Sequence, residues 1–426
     1  MNLEGKIYCR PPRHPITHRT KIGEGTYGNV YLNPKNHREV IKQFKVKNLH
    51  ESTIREISTL SLMRHSKYIV NLTAVNLKKH EIHLVRAEKS LEEYVTNNMV
   101  MMYESVWKMV YNILQALNTL ENSNITHRDL KPSNILVDNG VYKLCDFGLA
   151  KFLTAEANYE LSGGMQTLNY RSPEMILDTK YQLDKIDIWS LGIIAIELLS
   201  GFRLFKYSTD EYTHLVKLSE LFGRPDLTGT PYAGKILATE PKPLSEIIFQ
   251  NIPNEFYNLL EDMTYVDYHQ RLTAAELLDK YFGVVNEIIA PVDKLLSISM
   301  RYTVDKTRLA QSKERECVLQ YYFGLRHTID CNIIFLAATI YDLMLSTAKV
   351  INDLSKSCLS LAGKVNGVYI YTVEEENVDS EIEIFARLGY NLFIPSLWDY
   401  YSGGDFSDIS KKYLQMDYCS LENAKT

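Results

Sequence analysis

The sequence predicts an α+β protein in which a β-rich lobe, a helical lobe and a separate all-helical domain follow one another. Residues 20–85 carry short runs of β-branched residues interrupted by one helical pattern. Helical periodicity dominates residues 103–282, and apolar helical patterns recur after residue 282. The 426 residues exceed what one hydrophobic core usually organises, so we expect one large unit and at least one further domain.

The β-rich lobe is predicted to span about residues 20–86. Residues 29–32 and 39–44 are short runs that contain β-branched residues and are predicted to be strands, and residues 52–62 follow a helical pattern. Residues 1–19 are polar and contain proline and arginine, so we interpret them as an N-terminal extension.

The helical lobe is predicted to span about residues 87–282, with clear helices at 106–120 and 187–199. Its loops are concentrated between residues 124 and 173. This distribution favours a functional site built from loops on a helical scaffold.

The last domain is predicted to span residues 307–426, after a connector at 283–306 that has the weakest pattern of the chain. Helical patterns occur at 315–322, 331–345, 355–365 and 378–388. Apolar stripes of this kind usually only build a core, so a structural extension is one open interpretation of this tail.

The composition argues against several partners and environments. A net charge of -5 provides no basic field for nucleic acid, so we expect no nucleic-acid partner. No apolar run reaches the roughly eighteen residues of a membrane span, and residues 1–20 lack a signal-peptide core. We therefore expect an intracellular protein, in the cytoplasm or nucleus, without membrane association. The six scattered cysteines favour reduced thiols.

A glycine-rich motif, Gly-x-Gly-x-x-Gly-x-Val, occupies residues 23–30. Its glycines would let backbone amides approach phosphate oxygens without a side-chain clash. Alone the motif is equally compatible with a hairpin turn that binds nothing.

The residues that follow make a phosphate site the better interpretation. Lys42 lies on the next predicted strand and Glu56 on the predicted helix, where the two can pair. His-Arg-Asp-Leu-Lys-Pro-Ser-Asn at residues 127–134, Asp-Phe-Gly at 146–148 and Ser-Pro-Glu at 172–174 come next in order. Chance assembly of this series is very improbable.

With this set of motifs the chain resembles the eukaryotic protein kinases over residues 20–282. The resemblance implies the two-lobed protein kinase fold, ATP and Mg²⁺ as cofactors, and phosphate transfer to serine or threonine of protein substrates. It makes Lys42, Glu56, Asp129 and Lys131 catalytic, and Asn134 and Asp146 ligands of Mg²⁺. The implied ATP-binding residues are Ile22, Gly23, Glu24, Gly25, Thr26, Tyr27, Gly28, Val30, Val40 and Lys42.

A narrower resemblance is to the cyclin-dependent kinases. Glu-Ser-Thr-Ile-Arg-Glu-Ile at residues 51–57 is similar to the signature helix with which those kinases bind cyclins. Ser162 matches their activation-loop phosphosite, and Arg55 and Arg128 match two of the residues that clamp its phosphate. The third clamp residue is Lys151, which retains the charge of the family's arginine but not its planar fork.

At two positions near the expected adenine-binding slot, the sequence departs from the family's usual residues. Val40 stands where the family usually has alanine, and Arg86 stands near its apolar gatekeeper. Together they predict a narrower slot.

The tail resembles a single cyclin box. Residues 336–346 and 359–364 are similar to its second and third helices, and residues 388–396 are similar to the end of its fifth. Lys364 and Glu381 match the pair with which a cyclin grips the kinase. The resemblance implies a kinase activated in cis by its own cyclin-like domain.

Other interpretations stay open. The tail could dock a separate partner, including an external cyclin, and proline after the phosphorylated residue is allowed but not required. A pseudokinase scaffold is disfavoured, because Lys42, Asp129 and Asp146 are all present.

Overall fold

The computed structural model describes residues 19–25, 27–45, 49–95, 100–153, 168–177, 185–284, 313–325, 328–345, 354–366 and 378–393. Within them the predicted α+β class is confirmed as a β-sheet lobe, a helical lobe and a helical C-terminal region. Thr26, Ser162 and residues 285–312, which hold most of the predicted connector, lie outside the described residues. The exact domain boundaries therefore stay predictions.

The small lobe is a five-stranded antiparallel sheet with one helix packed on it. The strand order is β1-β2-β3-β5-β4, and the strands are β1 Lys21–Glu24, β2 Gly28–Leu32, β3 Glu39–Phe44, β4 Leu72–Asn76 and β5 Glu81–Val85. Helix α1, Glu51–Leu62, begins where the side chain of His50 accepts the backbone N–H of Ser52. Nearly all of α1 is buried, so it has partners on more than one side.

The large lobe is organised around α5, Ile186–Ser200, which is buried along almost its whole length and ends at Gly201 with φ 80°. The other helices are α2 Leu91–Val95, α3 Tyr103–Glu121, α4 Pro173–Leu177, α6 Glu211–Phe222, α7 Leu244–Ile247, α8 Asn254–Met263 and α9 Ala274–Phe282. Two small sheets carry the site loops: a three-stranded sheet of β6 Lys89–Ser90, β8 Ile135–Asp138 and β9 Val141–Leu144, and a pair of β7 Ile125–Thr126 and β10 Lys151–Phe152.

The described part of the tail contains α10 Lys313–Gly324, α11 Cys331–Leu345, α12 Leu354–Asn366 and α13 Val378–Arg387. These match the four predicted helices closely. Arg315 and Asp342 form a buried, two-bonded ion pair of 2.7 and 2.8 Å between α10 and α11. The apolar core of the tail is continuous with that of the two lobes, because α12 packs against α1. Within the ranges described, no helix is long and apolar enough to cross a bilayer.

Candidate active site

The glycine-rich loop joins β1 to β2 at the edge of the cleft between the lobes. Its turn is closed by a hydrogen bond of 2.9 Å from the N–H of Gly25 to the carbonyl of Gly28. A Cβ atom at Gly28 would lie 2.8 Å from the carbonyl oxygen of Gln43, so only glycine fits there. Glu24 is exposed and pairs with Lys21 and Lys45, whereas Ile22 and Val30 lie on β1 and β2.

Tyr27 folds from this loop into the cleft. A Cβ atom on Gly148, the glycine of the Asp-Phe-Gly motif, would lie 3.1 Å from the Tyr27 ring. Burial raises the pKa of the Tyr27 phenol, and the nearby carboxylates of Asp129 and Asp146 add to the rise. The ring therefore lies between the glycine-rich loop and the carboxylates of Asp129 and Asp146.

Lys42, Glu56 and Asp146 meet at the centre of the cleft. The ammonium of Lys42 donates to both carboxylate oxygens of Glu56 at 2.7 and 2.8 Å, and to Oδ1 of Asp146 at 2.9 Å. Burial opposes the charged form of Lys42, but the two carboxylates outweigh it and raise its pKa. Burial raises the pKa of Glu56 to about 7, despite its pairing with Lys42. These bonds hold α1 close to β3, with Glu56 directed into the cleft; we call this the inward position of α1.

The predicted catalytic loop, residues 127–134, brings Asp129, Lys131 and Asn134 together. The ammonium of Lys131 lies 2.8 Å from Oδ2 of Asp129. The amide nitrogen of Asn134 donates to the carbonyl and the carboxylate of Asp129 at 2.8 and 3.1 Å. Its amide oxygen therefore faces away from Asp129, where it can act as a metal ligand.

Asp187, at the start of α5, holds this loop in place and was not singled out from the sequence. Its carboxylate accepts the hydroxyl of Thr126 at 2.9 Å and the N–H groups of His127 and Arg128 at 2.7 and 2.9 Å. Arg128 has φ 67°, which is unfavourable for a side chain of its size. The only sequence signal was an acidic residue in the first turn of an otherwise apolar helix.

The Asp-Phe-Gly segment is anchored by the same loop. Phe147 is fully buried and packs edge-on against His127, with 5.1 Å between ring centroids. Asp146 has φ 62°, a strained conformation that its bond to Lys42 helps to maintain. Burial would raise the pKa of Asp146, but Lys42 outweighs it and holds that pKa below its usual value.

Three cations lie close enough to repel one another: Arg55 on α1, Arg128 in the loop that follows β7, and Lys151 on β10. Burial lowers the pKa of Arg128 to about 10, and repulsion from Arg55 contributes. Burial lowers the pKa of Lys151 to about 7, and repulsion from Arg128 and Arg55 adds to this effect. Cations crowded in this way form a site suited to an anion such as phosphate.

The tail contacts the site through α1. Nε of Arg55 donates to the carbonyl of Val365 at 3.4 Å, one residue beyond Lys364. Lys364 and Glu381, predicted to grip the kinase, form a buried ion pair with each other at 3.1 and 2.9 Å. Lys364 therefore lies next to the residue that contacts α1, while its ammonium bonds to Glu381 within the tail.

The two residues that depart from the family's pattern at the predicted adenine slot differ in exposure. Val40 is buried on β3 opposite Leu84 of β5. Arg86 is exposed and donates toward the carbonyl of His37 at 3.5 Å. That these two residues narrow the adenine slot stays a prediction.

The donor set fits magnesium. The described residues contain no cluster of three or more His, Cys, Asp and Glu side chains. Magnesium is commonly held by one or two protein oxygens together with phosphate oxygens. Asp146 and Asn134 can supply two such oxygens, because the carbonyl of Asn134 accepts the N–H of Cys145, the residue before Asp146, at 2.9 Å.

One comparison with known proteins bears on this site. A sequence model of the protein kinase domain matches residues 16–282, which is more than half of the chain. The match covers the glycine-rich loop, the catalytic loop and all residues of the cleft described above.

Proposed function

The chain belongs to the protein kinase family, and on that premise we propose that it phosphorylates serine or threonine as a kinase of the cyclin-dependent type. We further propose that its cyclin-like tail activates it from within the same chain. ATP and Mg²⁺ are the cofactors that the family implies. The proposed substrates are proteins, and a proline directly after the phosphorylated residue is allowed but not required.

The observation that carries the proposal is the closed contact of Lys42 with Glu56 and Asp146, in a chain whose tail packs on α1. Kinases need the ion pair between this lysine and the α1 glutamate for transfer. A helix that has a second packing partner is biased toward that inward position. Tail docking and the active geometry therefore support each other.

Each cleft residue has a defined task in this scheme. The substrate hydroxyl oxygen attacks the γ-phosphorus, the bond to ADP breaks, and Asp129 takes the hydroxyl proton. Lys131 lies beside Asp129 and steadies the transferred phosphate. Mg²⁺ held by Asp146 and Asn134 would offset the charge of the phosphates.

The experiment that tests this function is an ATP transfer assay on the purified full chain, followed by phosphoamino-acid analysis. We expect phosphoserine or phosphothreonine, and no transfer in excess chelator. Asp146→Asn should lower the rate by about a hundredfold or more, because it removes a charged metal ligand. Asp279→Asn, which changes an exposed carboxylate on α9, is the matched control and should have no effect. Phosphotyrosine as the sole product, or transfer unaffected by chelator, would reject the assignment.

The proposed phosphate clamp gives a pH dependence. Phosphorylated Ser162 would bind Arg55, Arg128 and Lys151, and Ser162→Ala should lower activity several-fold at about pH 7. Above about pH 7, Lys151 is largely neutral before the phosphate binds. Binding must then take up a proton, so it weakens as the pH rises.

The measurement is the ratio of wild-type activity to that of Ser162→Ala, which cancels the pH dependence of the chemistry itself. We expect the ratio to fall several-fold between about pH 7 and about pH 8.5, where the phosphate stays dianionic. In the Lys151→Arg background the ratio should stay flat, because arginine keeps its charge. Unmodified Ser162 in fully active enzyme, detected by mass spectrometry, would rule the clamp out.

A further inference from the structure

The start of α1 is capped by a titratable residue, His50. Its backbone is extended, with φ −77° and ψ 151°, and its carbonyl accepts the N–H of Ile54 at 3.0 Å. The ring nitrogen Nδ1 accepts the N–H of Ser52 at 3.2 Å and lies 2.8 Å from the Ser52 hydroxyl oxygen. Serine, threonine, asparagine and aspartate are the preferred residues at this position, and all of them keep an acceptor oxygen near neutral pH.

The N–H of Ser52 depends on this acceptor. The N–H groups in the first turn of a helix have no partner within the helix itself. Ser52 is buried, with 4% of its surface exposed, and a buried N–H that loses its partner destabilises the structure around it. The side chain of His50 therefore holds the first turn of α1 in place.

This first turn lies against the Asp-Phe-Gly segment. A Cβ atom on Gly148 would lie 3.6 Å from Cβ of Ser52 and 3.1 Å from the Tyr27 ring, so three segments meet there. Glu56 lies one helical turn beyond Ser52, on the same face of α1, and bonds to Lys42 at 2.7 and 2.8 Å. The cap that fixes Ser52 therefore also bears on the position of Glu56.

The cap requires a neutral imidazole ring. Nδ1 accepts the N–H of Ser52 through its lone pair, so the proton of the neutral ring lies on Nε2. A second proton, on Nδ1, would remove the acceptor and place a positive charge at the helix N-terminus, where the helix dipole disfavours cations. His50 is half-buried, so it is accessible to solvent protons. Histidine is the side chain that ordinarily changes its charge between about pH 5 and 8.

Other charged and titratable groups lie on α1 and on the elements that pack near its start. Among the described residues they are Glu51 and Arg55 of α1, Tyr27 of the glycine-rich loop, Asp146 before Gly148, and Lys364 and Glu381 of the tail. Glu51 is the neighbour of His50 in the chain, and its carboxylate is already engaged by Arg55 at 3.2 Å. It therefore offers a protonated His50 little compensation for the lost cap.

We propose that His50 is a positioning residue that couples the inward position of α1 to pH. The neutral ring caps α1 and holds Ser52 against Gly148. The protonated ring releases the first turn, so the inward position of Glu56 is less populated. The inference rests on the proposed kinase function, and it adds a control point in the small lobe that does not involve the tail.

The test compares the wild-type full chain with His50→Asn, because asparagine caps a helix at every pH in the range. Loss of a cap typically changes a helix equilibrium by about fivefold. At about pH 5.5, amide exchange in a peptide covering residues 49–56 should be about fivefold faster in wild type than in His50→Asn. At about pH 8 the two proteins should exchange equally. Over the same interval the ratio of wild-type kcat to that of His50→Asn should fall several-fold as the pH is lowered, and this ratio cancels the pH dependence of the chemistry.

Two control variants complete the design. His50→Ala lacks the cap at every pH and should exchange faster than His50→Asn at both values. His37→Asn changes an exposed histidine in the turn between β2 and β3 and should keep the wild-type pH profile.

Each outcome bears on a separate part of the proposal. Equal exchange in wild type and His50→Asn at about pH 5.5 would overturn it. A flat kcat ratio beside the expected exchange would also overturn it, because His50 would then cap α1 without positioning Glu56. The expected exchange pattern in a chain without transfer to serine or threonine would uphold the cap while the proposed function fails.

Discussion

Replacing Asp129 with asparagine is expected to lower kcat by about a hundred- to ten-thousandfold while the protein stays folded. Asparagine keeps the shape of the side chain and an oxygen that can accept from Lys131. It cannot take the proton of the substrate hydroxyl, so only the chemical step is lost. KM for ATP and the thermal unfolding temperature should change little.

The chain offers a matched control for this variant. Asp138, at the end of β8, also lies 2.8 Å from a lysine, Lys143, but stands outside the cleft. Asp138→Asn removes the same charge from the same kind of pair and should leave kcat unchanged. Equal kcat in Asp129→Asn and wild type would remove the catalytic role of Asp129 and, with it, the assignment of the cleft.

Much of the small lobe and the cleft could be predicted because the information is local. Residues 39–44, predicted as a β-branched strand, form β3, and residues 331–345 form α11 at the predicted bounds. Lys42 and Glu56 were identified by their spacing in a motif series, and they meet at 2.7 Å. Motif spacing predicts contacts well where one fold dictates them.

Contacts between segments that are far apart in the chain leave no local pattern in the sequence. Asp187 reads as an ordinary helix-start residue, and its bonds to the catalytic loop depend on how α5 lies under β7. Ser58 and Ser61 read as polar residues on an amphipathic helix, yet they bond the tail more than 300 residues away. The exposure of Arg86, and its bond toward the carbonyl of His37, likewise depend on a segment about fifty residues earlier in the chain.

Ending the chain after residue 284 is expected to leave a folded kinase whose kcat is about a hundredfold lower. Helix α9 ends at Phe282 and is capped by Gly283, so the cut falls beyond the last element of the large lobe. Without the tail, Arg55, Ser58 and Ser61 of α1 lose the hydrogen bonds that they make to the tail backbone. The inward position of Glu56 then becomes a minority state, which lowers kcat in proportion.

The separately expressed tail should restore the activity of the shortened chain. Tethering can supply an effective concentration of roughly millimolar. Rescue by the separate tail should therefore need a tail concentration far above that of the shortened kinase. The measurement is kcat as a function of added tail, with circular dichroism confirming that both pieces are folded. Activity of the shortened chain equal to that of the full chain would leave the tail as a docking or stabilising module.

Variants of the pair Lys364 and Glu381 test activation by the tail in the intact chain. Lys364→Glu alone would bury two carboxylates together and cost about 3–5 kcal/mol, which confounds folding with function. The exchange of both, Lys364→Glu with Glu381→Lys, retains an ion pair at the same place but reverses its sign toward α1. If the pair grips the small lobe, the exchanged variant should keep a folded tail and lose activity several-fold. If the pair only stabilises the tail internally, the exchanged variant should be as active as wild type, and activation would have to depend on the contacts of Val365, Gly389 and Leu392 with α1 instead.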